Sequence, residues 1–147
     1  MPTASLAIPS GLRAIVTAGA GGIGRAIADA LIAHGARVHI CDVDEAALAG
    51  FRAAHGQAGA TRADVAEEAD VARLFAEAAA GLGGLDLLVN NAGIAGPTGA
   101  VEAIAPADWR RCLDIGLTGQ FLCARLAVPS SLASDWVNPM TPHFAAA

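Results

Sequence analysis

The sequence predicts an α/β fold: a parallel sheet whose strands are joined by crossover helices. Three observations carry this. Short apolar runs alternate with stretches of helical period, the pattern of successive strand–helix units. The apolar runs are continuous, as expected of strands covered on both faces. A glycine-rich turn follows the first run and opens the first helical stretch.

The elements read as follows. Residues 1–12 form a leader arm closed by Pro9-Ser10-Gly11, and Arg13 to Thr17 is a short apolar strand. Ile23 to His34 is a helix with Ile23, Ile27, Ala30 and Leu31 on one face, stopped by Gly35. Arg37 to Cys41 is the second strand, and Asp44 caps a helix running through Ala54. Gly59 to Ala63 is a weak third strand. Glu67 to Ala80 is a helix with Val71, Leu74, Phe75 and Ala78 at spacings of three, four and seven, broken by Gly81-Leu82-Gly83-Gly84. Leu85 to Val89 is the fourth strand. Ile94 to Ala107 reads as a loop, and a long helix follows from Asp108 to Ala127. On it Trp109, Leu113, Leu117 and Phe121 form an apolar stripe assigned to packing. Proline and serine then dissolve the pattern, so the domain is placed at 13–128 and 129–147 is read as an irregular tail.

Composition narrows the function classes. The chain has 147 residues, about one domain's worth. Its hydrophobic fraction of 54% is soft, because 37 residues are alanine, and only 16% are charged. A disordered chain is excluded by that balance. A net charge of −5 argues against a nucleic-acid partner, which calls for a basic face. Cys41, Cys112 and Cys123 have no C-x-x-C spacing and read as small hydrophobes, so neither a disulfide framework nor a metal site is expected. The N-terminus lacks a basic region and a long apolar run, and no stretch reaches the ~18 apolar residues of a membrane span, so a cytoplasmic setting without membrane contact is expected. All nine basic side chains are arginines, and there is no tyrosine and no lysine.

Gly19-Ala20-Gly21-Gly22-Ile23-Gly24 matches G-x-G-x-x-G between a strand and a helix. Glycine allows the tight turn and lets the backbone approach a pyrophosphate, and the free N–H groups and dipole of the helix N-terminus hold the anion. Asp42 lies 18 residues after Gly24, at the end of the second strand. A carboxylate there accepts a hydrogen bond from an adenosine ribose hydroxyl and repels a 2′-phosphate, which favours NAD over NADP. His34, His39 and His55 are not paired by motif with a carboxylate and are read as structural.

Thr17 to Gly24, Asp42, Asp64-Val65 and Asn90-Asn91-Ala92-Gly93, in this order, together resemble the short-chain dehydrogenase/reductase family over Arg13 to Val128. The resemblance implies a partial Rossmann fold with strand order 3-2-1-4 and helices on both faces. It implies that Gly22, Ile23 and Gly24, within the turn that includes Gly19 and Gly21, line the pyrophosphate, and that Asp42 binds the ribose. Asp64 is implied to reach the adenine amino group with Val65 flanking the ring, and Asn90, Ala92 and Gly93 to lie over the cofactor. Asn90-Asn91 is implied to tie the sheet, and residues 108–127 to form half of a homo- or hetero-oligomeric interface.

Three departures from the family pattern stand out. Ala18 replaces the first turn glycine, and Gly19 is expected to absorb the turn. Gly116 in Asp114-Ile115-Gly116 stands where the family carries a catalytic-site asparagine, and Gly116 and Gly119 should each cost the helix about 1 kcal/mol. The family's serine and Tyr-x-x-x-Lys group, in which the tyrosine is the general acid/base, has no counterpart here. The expectation is a truncated NAD-dependent oxidoreductase whose chain binds NAD without catalysis. The alternative is a non-catalytic dinucleotide-binding or dimerisation partner of a full-length relative. The fourth strand would be an open edge and the long helix would lack neighbours, which implies marginal stability or association.

Overall fold

The computed structural model describes residues 8–132. A four-stranded parallel sheet carries β1 (Arg13–Thr17), β2 (Arg37–Asp42), β3 (Gly59–Arg62) and β4 (Leu87–Val89) in the order β3-β2-β1-β4. The expected order is therefore observed. Helices α1 (Gly22–Ala33) and α2 (Glu45–Ala54) cover one face. Helix α3 (Glu68–Leu82) covers the other, together with a long helix made of α4 (Pro106–Leu113), one wide turn (Asp114–Thr118) and α5 (Gly119–Leu132).

Alternation along the strands divides the core. Ala14 and Val16 of β1 and Val38 and Ile40 of β2 face α1 and α2, where Leu31, Leu48 and Phe51 are buried. Ile15 and Cys41 face the other way, onto Val71, Leu74 and Ala78 of α3 and onto Ile115, Cys123 and Ala127 of the long helix. Both layers are needed because a parallel strand has no wet face.

Local chemistry sets the boundaries. Asp44 Oδ1 accepts from Ala47 N at 3.0 Å, the expected cap of α2. At the start of β1, Arg13 binds the Asp86 carboxylate twice, at 2.8 Å through Nε and 2.6 Å through Nη2, while its own N–H donates to Asp86 Oδ2 at 2.9 Å. The hydrogen bond from Arg13 holds the Asp86 carboxyl below its usual range, against the opposing effect of burial. β4 proper begins at Leu87 and not at Leu85, because Asp86 is used in this clasp.

Several expectations need correction. The arm is not separate from the domain at its inner end: Gly11 N donates to Gly35 O at 2.8 Å, Arg37 N donates to Leu12 O at 2.7 Å, and Ile8 and Leu12 pack on the core. The 94–107 loop contains a short helical turn at Val101–Ala103, and the long helix starts at Pro106, whose fixed φ and missing N–H suit a first turn. Its last residues run into the expected tail: α5 continues through Leu132 with Pro129 inside it, while 133–147 lie outside the described residues.

The apolar stripe Trp109, Leu113, Leu117 and Phe121 is not buried by the described residues. Trp109 is 59% exposed, Leu117 65% and Phe121 61%. The helix seats instead through Ile115, Gly119, Cys123 and Ala127. Gly119 has a reason to be glycine, since a Cβ there would lie 2.8 Å from Val65 Cγ2 and 2.9 Å from Val65 O. Gly116 has none of that kind: the space a Cβ would fill is open.

One buried polar chain crosses the α3 side of the sheet. His39, 5% exposed, sits on β2 with Nε2 2.8 Å from Thr61 Oγ1 on β3. The Thr61 hydroxyl donates to Glu77 of α3. That uses its only proton, so the His39 Nε2–H is assigned as the donor to Thr61. Burial lowers the His39 pKa, with the Glu77 charge opposing. A neutral His39 is thus favoured by the fold, and stability is fully present above the unfolded-state pKa of about 6.5 and declines as pH falls through the window below it. Urea midpoints should therefore be flat above about pH 6.5 and fall below it. His39→Gln, which keeps a donor in place of Nε2 but does not titrate, should stay flat until the carboxylates begin to protonate.

Candidate functional site at the carboxyl ends of the strands

The turn after β1 begins with an anomaly. Ala18 takes φ +49°, the left-handed region, where an L side chain costs about 1–2 kcal/mol. The expectation that Gly19 absorbs the turn is incorrect. Gly19 has no positive φ, and a Cβ on it would lie 2.7 Å from Ile40 Cγ2. Position 18 is thus a place where the turn needs the backbone freedom of a glycine, and Gly19 does not supply it. Ala18→Gly should raise stability by about 1 kcal/mol, the strain relieved less the freedom glycine adds to the unfolded chain, as read from urea midpoints.

Beyond it the turn is open. Gly22 has φ +53°, and no heavy atom lies within 4 Å of where a Cβ on Gly21 or Gly22 would stand. Gly21 is the N-cap of α1, no side chain caps the helix, and its first turn holds no acidic residue. The first N–H groups of a helix have no partner within it, so these donors face open space beside the exposed Ile23. Gly24 serves packing: a Cβ there would collide with Ala18 O and Asn91 Nδ2.

Asn91 and Thr17 hold this corner. Asn91 Nδ2 donates to Thr17 O at 3.1 Å and to Ala18 O at 3.3 Å. The buried Thr17 Oγ1 accepts from Asn91 N and Ala92 N, both at 3.0 Å. Asn91→Ala leaves the Thr17 and Ala18 carbonyls without that donor and should lower stability by roughly 1–3 kcal/mol in urea unfolding.

A cavity of about 180 Å³ lies at the same ends of the strands, lined by Ala18, Asp42, Asp64, Val65, Ala92 and Gly93, with Arg111 and Ile115 from the long helix. Asp42 links it to the turn: Oδ2 accepts from Ala20 N and Oδ1 from Asp44 N, each at 3.2 Å. Asp64 is held more tightly. Its Oδ1 accepts from Ala66 N at 2.9 Å, and Arg111 Nη2 donates to Oδ2 at 2.7 Å. Burial opposes ionisation of Asp64, but these donors outweigh it and its pKa lies below the usual carboxylate range. Burial pushes the Cys41 thiol, also in the cavity wall, up to about 12.

Five of the eleven predicted residues, Asp42, Asp64, Val65, Ala92 and Gly93, therefore share one cavity. Gly19, Gly21, Gly22, Ile23 and Gly24 belong to the adjoining turn. Asn90 stands apart, its Nδ2 donating to Gln120 O on α5 at 3.3 Å. Sequence reasoning missed Arg111, which stands in no motif and meets Asp64 across 47 positions, and Ile115, which enters the family pattern only as the unspecified middle residue of Asp114-Ile115-Gly116. It also missed a pairing far from the cavity. His55 Nε2 lies 2.7 Å from Asp29 Oδ1, which also accepts from Arg25 Nε at 2.7 Å. Burial of Asp29 is overcome by these donors, and its pKa is lowered. A larger hollow of about 520 Å³ near His55 and Arg37 contains none of the predicted residues. Carboxyl strand ends, where the smaller cavity lies, are where open α/β sheets bind ligands.

The short chain dehydrogenase family model matches residues 13–136. The chain belongs to that family. It is 41% identical over 120 residues to 2,5-dichloro-2,5-cyclohexadiene-1,4-diol dehydrogenase of Sphingobium indicum, covering 81% of this chain and 48% of that protein. It is 45% identical over 118 residues to cis-4-hydroxycyclohexanecarboxylate dehydrogenase of Sinomonas cyclohexanicum, covering 78% and 47%. Among solved structures it is similar to a 3-ketoacyl-(acyl-carrier-protein) reductase from Brucella melitensis solved with NADH, with TM-score 0.80 and 32% identity, covering 82% of this chain and 50% of that one. The chain spans about half the length of the curated relatives it matches. No helix among the described residues is long and apolar enough to cross a membrane.

Proposed function

We propose that these residues form the dinucleotide-binding part of an NAD-dependent oxidoreductase, and that the 147-residue chain binds NAD without carrying out hydride transfer. One observation carries the reading: Asp42, Asp64, Val65, Ala92 and Gly93 line a single cavity beside an uncapped glycine turn. In it, the N–H groups from Gly21 to Gly24 receive the pyrophosphate and Asp42 accepts from the ribose hydroxyl. Asp64 accepts from the adenine amino group, and Ala92 and Gly93 leave room along the cofactor. Asn90 braces α5 beside it. The nicotinamide supplies the hydride acceptor. The chain supplies no phenol or amine to move the accompanying proton, since its 147 residues include neither tyrosine nor lysine. The relatives' names support an alcohol or ketone chemistry for the family members they describe.

Calorimetric titration tests this. NAD should bind, and NADP should bind at least about tenfold more weakly, because its 2′-phosphate meets Asp42. Asp42→Ala should weaken NAD by about tenfold and shrink the difference from NADP. Incubation with NAD and an alcohol panel should produce no NADH above background. Absence of binding heat at millimolar NAD sinks the reading.

A second reading is favoured by the exposed Trp109, Leu117 and Phe121. In it, the helix spanning 108–127 pairs with another copy or with a full-length relative, and the chain acts as a non-catalytic partner. Co-elution of this chain with such a relative in size-exclusion chromatography is the expected sign.

A further inference from the structure

The Arg111–Asp64 pair is an addition to the cavity that no motif announced. Arg111 comes from α4, and its guanidinium donates to Asp64 Oδ2 at 2.7 Å. Ala66 N donates to the other oxygen at 2.9 Å, and the Asp64 backbone N–H donates to Asp70 Oδ2 at 2.9 Å. Asp70 is itself paired with Arg73 at 2.8 Å. The carboxylate is thereby fixed at both oxygens, and its backbone is fixed as well.

We infer that Arg111 is a positioning residue for base recognition: it pins the Asp64 carboxylate so that its remaining acceptor sites select a base bearing an exocyclic amino group. This rests on the dinucleotide reading of the cavity. An ionised carboxylate offers about four acceptor sites, and the two donors occupy two of them. The rest belong to a side chain that lines the cavity together with Arg111. A pure acceptor favours an amino group, as on adenine, and repels a carbonyl in the same place, as on hypoxanthine. Without Arg111 the carboxylate stays negative at neutral pH but keeps only the Ala66 N–H as a donor, and ordering its second oxygen then opposes binding.

A purely structural role is a poor account of the pair. The Arg111 side chain is 49% exposed, and an exposed ion pair adds little stability. The helix already has its seat in Ile115, Cys123 and Ala127 and in the close approach of Gly119 to Val65.

The test is calorimetric titration of the wild type, Arg111→Gln and Arg111→Lys with NAD and with nicotinamide hypoxanthine dinucleotide, in which a carbonyl replaces the amino group. The wild type should prefer NAD by about tenfold. Arg111→Gln should cut that preference to about twofold, mainly by weakening NAD, while its urea midpoint stays near the wild-type value. Arg111→Lys, which keeps a cationic donor, should restore most of the preference. A preference unchanged in Arg111→Gln, or NAD binding that tightens because Arg111 had competed for Asp64, overturns this inference and leaves the dinucleotide reading standing. Failure of the wild type to bind either dinucleotide overturns both.

Discussion

The Asn91 amide is the point on which the corner at the carboxyl ends of the strands depends. It donates to two consecutive carbonyls, Thr17 O and Ala18 O, at the place where β1 gives way to the turn. Thr17 answers in the other direction by accepting from Asn91 N and Ala92 N. The end of the edge strand is thus fastened to the end of the central strand by side chains, beyond the last ladder pair of Val16 with Val89. Gly24 then brings α1 against the same two groups, at a distance that admits no side chain. The direction in which the first N–H groups of α1 point follows from that contact. The last glycine of the motif, inside α1, therefore acts through packing, and the orientation of the turn before it is the consequence.

A second close approach places the other wall. Gly119 lets the long helix settle onto Val65, the residue after Asp64, and this carries Ile115 and Arg111 to the cavity. The wide turn at Asp114–Thr118 lies between them, and turns of this kind are frequent at functional sites. The Asp64 end of the cavity is thus assembled from a loop after β3 and a helix that follows a long excursion. Its geometry depends on a residue with no side chain.

This explains what the sequence made legible and what it did not. Strand order, the crossover helices and the capping of α2 were legible because each follows from a local pattern or from a motif whose context is local. The seat of the long helix was not. Trp109, Leu113, Leu117 and Phe121 make a stronger apolar stripe than Ile115, Gly119, Cys123 and Ala127, yet the weaker stripe is buried. Helix and loop meet too closely for large side chains, so size decided where hydrophobicity pointed elsewhere. The strain at Ala18 was hidden for a related reason. Gly19 looked like a substitute hinge, but Ile40 occupies the space its Cβ would need, so Gly19 answers a steric demand from β2 and not a conformational one. Arg111 and Asp64 were each visible as charges, but nothing short of the fold joins them across 47 positions.

The titratable groups of the cavity wall indicate what kind of chemistry this corner suits. Asp42 and Asp64 are acceptors already oriented by backbone donors. Arg111 gains a proton-holding partner in Asp64 and stays charged. Cys41, its pKa raised to about 12 by burial, stays a neutral thiol. A proton shuttle near neutral pH needs a group that titrates there. Asp64, Arg111 and Cys41 are each moved away from that range by their surroundings. The same shifts suit recognition, because a fixed carboxylate reads hydroxyl and amino donors without changing its own state. Under the proposed dinucleotide reading, binding and proton transfer call for opposite settings of such side chains, and the settings of Asp64, Arg111 and Cys41 are those that binding calls for.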